Sequence, residues 1–239
     1  MLVIVQKSDT HMREILQMTQ PIVKEYCVKH GYIYYEDTEP IDTSRSPRWI
    51  KHPALYRAMT TFHEADWVLW LDADTIIMNV DFVIEPYLKK DITVQPFTVK
   101  RTYAIDRTTM GLLFRYVPEG AIMREFHSGV FAVKNTEWSK RFIMDLYSDH
   151  RFTVPFRSPA SESEELAFTL KMEEIEDFDD HIFLAQQGLL YTAPDIMCLD
   201  RDILNVPIYK PGHWLIHVAV MGKQNKIRLI RDIINGKLW

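Results

Sequence analysis

Residues 67–79 read Trp67-Val68-Leu69-Trp70-Leu71-Asp72-Ala73-Asp74-Thr75-Ile76-Ile77-Met78-Asn79, five apolar residues running straight into two carboxylates one residue apart. A continuous apolar run of this kind predicts a central strand buried on both faces. Burying an unpaired carboxylate is costly, so Asp72 and Asp74 are expected at the strand's end, where the chain meets a cleft. In open α/β sheets ligands bind outside the carboxyl ends of the strands, and this is that edge. In a straight strand, residues i and i+2 share a face and stand roughly 6.6 Å apart. A turn at the strand's end can bring both carboxylates towards one hard cation, with metal–oxygen distances of about 2.1 Å. Magnesium and manganese suit such a site, because they combine a few carboxylates with substrate phosphate oxygens.

Working outward, Leu2–Gln6 is a short apolar strand, and Ser8, Asp9 and Thr10 offer N-caps for a helix after it. Ile15, Met18, Ile22 and Tyr26 recur at helical spacing, Gly31 ends the helix, and Tyr32–Tyr35 favours a second strand. Strand, helix and strand within 35 residues make a βαβ unit and argue for a parallel sheet. A helix is predicted over Pro53–His63, strands over 92–97 and 126–133, and a helix over Trp138–Asp149. Another helix begins near Glu162, and a last strand at 213–220 precedes a basic C-terminal helix. Residues 98–125 and 150–160 lack periodicity and read as functional loops. The expected architecture is one α/β, Rossmann-like domain with a mixed, mostly parallel central sheet flanked by helices.

The chain has 239 residues, enough for such a domain, with 28 Lys+Arg against 33 Asp+Glu. This mildly acidic balance gives no support to a nucleic-acid partner. An anionic small ligand would need a local cation or a metal. Cys27 and Cys198 are far apart and read as two reduced thiols. The N-terminal apolar run is too short for a signal peptide or a membrane span, and no later segment offers 18 consecutive apolar residues. The expectation is a chain that is soluble or cytoplasmic in this form.

The metal-strand segment resembles that of the retaining GT-A glycosyltransferases, the group that includes fungal α-galactosyl- and α-mannosyltransferases and plant xyloglucan xylosyltransferases. Other elements agree in collinear order. They are Tyr26-Cys27 with His30-Gly31-Tyr32, then Trp49 and Lys51 with Leu55 and Ala58-Met59, then His127–Phe131 with Asn135 and Trp138-Ser139. The resemblance implies a single GT-A domain over 1–239, with residues 1–97 as a nucleotide-binding half and 98–239 as an acceptor-binding half. It implies a nucleoside diphosphate sugar as donor, a UDP-sugar in preference to a GDP-sugar. It further implies a glycan hydroxyl as acceptor, Mn2+ with Mg2+ as the other choice, and retention of anomeric configuration. Asp72, Ala73, Asp74 and Lys51 would face the nucleotide-sugar. Members of the group are held in the Golgi by an N-terminal membrane helix, so a Golgi lumenal location applies if such an anchor has been trimmed. At Glu164-Glu165 the group usually has an Asp-Gln pair opening a helix. Either glutamate can stabilise the sugar's developing cation or position its hydroxyls, although acids also favour a helix's first turn, with Ser161 and Glu164 forming a capping box.

Two other readings of the same residues stand. Haloacid-dehalogenase-like phosphatases follow an apolar strand with Asp-x-Asp-x-Thr/Val, and Asp72 would then be a nucleophile. Here the fifth position is Ile76, and the motif falls some 70 residues into the chain. The other reading is a non-catalytic nucleotide-sugar-binding relative.

His213 and His217 lie four apart, but Pro211-Gly212 and the residues between them favour a strand, which would hold the two rings about 13 Å apart. At most one therefore binds a metal ion. In GT-A enzymes a histidine after the last strand completes the site, and alignment selects His217. Gly222 and Lys223, on the turn before the last helix, then supply the cation for the diphosphate. Trp49, Trp138 and Trp214 are either sugar-stacking platforms or core residues, and packing is the expected role.

Overall fold

The computed structural model describes residues 1–100, 122–152, 164–190, 192–194, 207–219 and 222–237. Strand β1 (Leu2–Gln6), helix α1 (Arg13–His30) and strand β2 (Ile33–Glu36) form the expected βαβ unit, with β1 and β2 parallel. Asp9 Oδ1 accepts from the Met12 amide at 2.7 Å at the helix start. At its end Gly31 takes φ +69°, a left-handed conformation in which a side chain would be strained. A 3-10 turn (Pro47–Ile50) leads into helix α2 (Lys51–Thr61), and strand β3 (Trp67–Leu71) follows as the buried central strand.

Strands β4 (Thr75–Ile77), β5 (Ile92–Lys100) and β6 (Ile122–Lys134) come next. Helices α3 (Glu137–Ser148), α4 (Glu164–Glu173) and α5 (Phe178–His181) precede strands β7 (Ile182–Leu184) and β8 (Leu215–His217), and helix α6 (Lys223–Ile234) closes the fold. The six-stranded sheet has the order β2-β1-β3-β6-β5-β7. β6 alone runs against its neighbours β3 and β5, while β1 pairs in parallel with β2 and β3, and β5 with β7. The sheet is thus mixed and mostly parallel, as expected.

Alternation along the strands feeds two cores. Val3, Val5, Val68, Trp70, Phe131 and Val133 pack with α2, α3 and α4, while Leu2, Ile4, Leu69, Leu71, Val130 and Ala132 pack with Val23 and Tyr26 of α1 and with Trp214. Pro96 falls in β5 at a register shift between Val94 and Pro96, where a residue without an N–H is tolerated.

Several boundaries differ from the sequence reading. The β5–β6 ladder continues to the pair Lys100–Ile122, so the ends of the expected loop 98–125 are strand; its remainder, 101–121, lies outside the described residues. The same holds for 153–160, for Cys198 and for the Ser161 of the expected capping box. The last strand is only Leu215–His217, because it pairs with the three-residue β4. β4 and β7 are additional to the expected strands; at three residues each they are too short to show periodicity. Among the described residues no helix is long and apolar enough to cross a membrane. Cys27 is a buried thiol, pushed up to about 12 by burial.

An ion triad centred on the buried Asp37 fixes the chain beyond β1. Lys7 Nζ donates to Asp37 Oδ2 at 2.7 Å, and Arg57 donates to both Asp37 oxygens at 3.1 and 2.6 Å. Burial pushes the Asp37 carboxyl up, but the bonds from Arg57 and Lys7 outweigh it and hold the group below its usual range. Asp37→Ala leaves the buried Lys7 ammonium without its counter-charge, bonded only to backbone carbonyls such as Glu39 O, and is expected to cost about 3–5 kcal/mol. For a chain of this size that lowers Tm by roughly 10 °C, measurable by calorimetry. A folded-state value below the unfolded one means the contribution is present above about pH 4 and is lost as pH falls through the folded value. Asp37→Ala should therefore flatten the acid limb of a Tm-against-pH curve.

Candidate active site

The site forms where two ladders end side by side. The β3–β6 pairing runs to Leu71–Val130, and one step further the Asp72 amide donates to Gly129 O at 2.8 Å. This sets His127-Ser128-Gly129 of β6 beside the first carboxylate. The β4–β8 pairing sets Thr75 opposite His217, and the Val218 amide donates to Asp74 O at 3.0 Å. A histidine more than 140 positions away thereby arrives at the second carboxylate. Thr19 of α1 pins the bend between the ladders, donating to Ala73 O at 2.7 Å.

His217 Nε2 lies 3.0 Å from Asp74 Oδ1 and 3.6 Å from Asp72 Oδ2. Asp72, Asp74 and His217 each offer one ligand atom, and the three atoms lie within 4.8 Å of one another. Around an ion with bonds of about 2.1 Å, adjacent ligands stand roughly 3.0 Å apart and opposite ones about 4.2 Å. Two carboxylates and an imidazole at this spacing fit Mn2+ or Mg2+ after small side-chain movements. Asp74 and His217 are buried, whereas the Asp72 side chain keeps 28 % of its exposure and so opens the cluster to solvent. Trp70 Nε1 donates to Asp72 Oδ1 at 2.6 Å, which orients the carboxylate.

Burial pushes the Asp74 carboxyl up, but His217 first and Lys226 second more than reverse this, and its pKa falls far below the carboxylate range. Lys226 Nζ is in direct contact with Asp74 Oδ2. The ammonium of Lys223 instead lies 3.7 Å from Glu14 of α1. Gly222 is the residue preceding α6, and its carbonyl accepts from the Lys226 amide at 3.1 Å. The lysine that touches the acidic pair is thus Lys226, and the expected Lys223 points to α1. Position 226 is three residues on from 223 and shares its face, a relation visible only once the helix start is known.

Behind Asp72 lies a buried charge cluster. Lys51 Nζ donates to Ser128 O at 3.0 Å and Ser128 Oγ at 3.1 Å, and stands 3.1 Å from Glu164 Oε2 and 3.7 Å from Asp72 Oδ1. Burial works to lower the Lys51 pKa, but Asp72 and Glu164 raise it on balance, so the ammonium is retained. Burial raises the Glu164 carboxyl, opposed by Lys51 and Ser128. His52, 3.4 Å from Glu164, is pushed down to about 3 by burial and by Lys51 and stays neutral. Glu164 Oε2 accepts from Ser128 Oγ at 2.8 Å, and Glu165 Oε1 accepts from the Ser128 amide at 3.0 Å. Both glutamates thus grip the strand that carries Gly129; Glu164 is buried and Glu165 half-buried.

His127 received no role from the sequence, yet its Nε2 lies 2.9 Å from His217 Nδ1. Its pKa is held well below the usual value by burial, then by His217 and Lys51. The signal in the sequence is a histidine that opens the apolar half of the strand, two residues before Gly129. His213 stays apart from the cluster, its Nδ1 accepting from the Lys210 amide at 3.0 Å. None of the three tryptophans forms an open platform: Trp49 and Trp214 are buried, and Trp138 is stacked against His181 at 3.9 Å between centroids.

A mostly parallel sheet with a single reversed strand, and an acidic pair at the carboxyl end of β3, define the GT-A glycosyltransferase fold. A glycosyltransferase involved in the glycosylation of the major capsid of PBCV-1 superposes over 96 % of this chain and 98 % of its own, with a TM-score of 0.62 and 14 % identity, a likeness of fold. Residues 1–187 match the galactosyl transferase GMA12/MNN10 family, and the chain belongs to it. Galactomannan galactosyltransferase 1 of Cyamopsis tetragonoloba is 24 % identical over 193 residues, 80 % of this chain and 40 % of the relative. The alpha-1,2-galactosyltransferase of Schizosaccharomyces pombe is 35 % identical over 80 residues, 30 % of this chain and 21 % of the relative. The chain thus spans about two fifths or less of the length of these relatives.

Proposed function

We propose that this chain transfers a glycosyl group, a hexose in preference to a pentose, from a nucleoside diphosphate sugar to a glycan hydroxyl, with retention. UDP is the expected nucleotide and Mn2+ the expected ion, with Mg2+ as the other choice. The observation that carries the reading is the convergence of Asp72, Asp74 and His217 at the carboxyl end of β3. The preference for a hexose rests on the names of the two galactosyltransferase relatives.

In this reading Asp72, Asp74 and His217 hold the ion, and the bound ion supplies Lewis-acid stabilisation to the departing diphosphate. Lys226 adds a second positive charge there. Its ammonium rests on Asp74, and once that carboxylate is engaged elsewhere it can turn to a phosphate oxygen. Lys51 and Glu164 hold Ser128 and Asp72 in place from behind. Glu165 is the better placed of the two glutamates to stabilise the sugar's developing charge or to position its hydroxyls, because it is only half-buried. Residues 1–97 contribute the nucleotide clamp, and 98–239 contribute the acceptor side together with His217 and Lys226, which close on that clamp.

The test is a thermal-shift and turnover screen of UDP- and GDP-sugars with Mn2+ and with EDTA. Stabilisation by a UDP-hexose that requires Mn2+, with release of UDP, is expected. Protein that binds and turns over no nucleotide-sugar under any of these conditions sinks the reading. In the same assay Lys226→Ala should lower kcat/KM about 10²-fold, and Lys223→Ala should stay within a few-fold of the parent. The reverse order would restore Lys223 as the diphosphate cation.

A further inference from the structure

We propose that His127 is a positioning residue for the metal centre, whose Nε2 accepts the Nδ1 proton of His217 and so leaves His217 Nε2 unprotonated towards Asp72 and Asp74. The inference rests on the metal reading above and concerns what makes His217 competent as a ligand. A neutral imidazole has one N–H and one acceptor nitrogen. If His217 binds an ion through Nε2, its proton must sit on Nδ1 and needs an acceptor. The atom at hand is His127 Nε2, 2.9 Å away, with the rings edge-on at 70° and their centroids 4.9 Å apart.

The opposite polarity has a definite consequence. If His127 Nε2–H donated to His217 Nδ1, the His217 proton would lie on Nε2, 3.0 Å from Asp74 Oδ1, and that nitrogen could not ligate. The pair is therefore a selector between a metal-binding and a non-binding tautomer. The space around it fixes the pair further. Both rings pack over Gly129, where an added Cβ would meet His217 Cε1 at 2.5 Å and His127 Cε1 at 2.8 Å. Both residues are buried, at 4 % and 6 % exposure, so water does not readily replace His127 as the acceptor. Partners of this kind on metal-bound histidines typically contribute about 10–100-fold in metal affinity.

The experiment compares His127→Phe, which keeps the ring and loses the acceptor, with His127→Gln, whose amide oxygen can accept. Mn2+ affinity is read from the electron paramagnetic resonance signal of free Mn2+, and folding from the melting curve. His127→Phe is expected to bind Mn2+ about 10–100-fold more weakly, and His127→Gln to recover most of that loss. A folded His127→Phe within two-fold of the parent overturns the proposal, as does a His127→Gln no better than His127→Phe. Nitrogen-15 imidazole spectra of the parent protein loaded with Mg2+ decide independently of any variant: a proton on His217 Nδ1 supports the proposal, and a proton on Nε2 overturns it. Failure of the parent to bind Mn2+ at all would overturn the metal reading together with this one, whereas unchanged affinity in His127→Phe overturns this one alone.

Discussion

Replacing Gly129 by alanine is expected to reduce kcat/KM by about 10²-fold or more, although the change adds one methyl group. The reason is space. A Cβ at this position would stand 2.5 Å from His217 Cε1, 2.8 Å from His127 Cε1 and 3.0 Å from Asp72 Oδ2. Something must shift, and each neighbour belongs to the proposed metal centre or to its support. The backbone cannot retreat, because Gly129 O holds the Asp72 amide in the last rung of the ladder. The imidazoles must therefore move by several tenths of an ångström, pulling the His217 nitrogen away from the two carboxylates. A strained small-to-large change in a packed site also costs about 1–3 kcal/mol of stability. The expected result is a folded protein with Tm lowered by several degrees, weakened Mn2+ binding and little transfer. A folded Gly129→Ala protein with parental activity and Mn2+ affinity would show that these side chains are not the working constellation.

Asp74→Asn is expected to be more damaging to activity, by about 10³-fold or more, and to abolish Mn2+-dependent thermal stabilisation. Asp74 is buried, in contact with His217 and paired with the Lys226 ammonium. The amide preserves shape and an acceptor oxygen but removes the charge that a divalent ion and Lys226 both need. Losing several kcal/mol of transition-state stabilisation at about 1.4 kcal/mol per decade gives the stated factor. Without metal the variant should stay folded, because the amide keeps the shape of the side chain and an acceptor oxygen for the Lys226 ammonium. The comparison to make is the Mn2+-induced shift in Tm of parent and variant, beside their turnover. A parental Mn2+ shift in Asp74→Asn would remove Asp74 from the ligand set and leave Asp72 and His217 to be tested alone.

Part of this site was legible from residue order. Five apolar residues ending in Asp72-Ala73-Asp74 fixed a buried strand and the edge of the sheet where charge can gather, because an unpaired carboxylate cannot be carried into the core. Pro211-Gly212 and the residues after them favour a strand over a helical histidine pair, and the structure brings His217, not His213, to the carboxylates. What residue order did not contain was the partner of each group. His127 and Lys51 sit on elements whose local pattern is apolar or amphipathic, and their roles come from the rung between Asp72 and Gly129 and from the Ser128 contacts.

The choice between Lys223 and Lys226 shows the same division. Both are lysines of one basic helix, and the family resemblance, through Gly222-Lys223, points to the first. Where α6 begins sets the first lysine beside Glu14 of α1 and the second against Asp74, and the proposal of Lys226 rests on that contact. Local patterning determined which strand is buried and where its acids must emerge, since that follows from transfer energies along a short stretch of chain. Which distant histidine, lysine and glycine meet those acids was decided by the two antiparallel ladders, β3 with β6 and β4 with β8. Their registers are set by side-chain packing across the whole sheet rather than by any one segment.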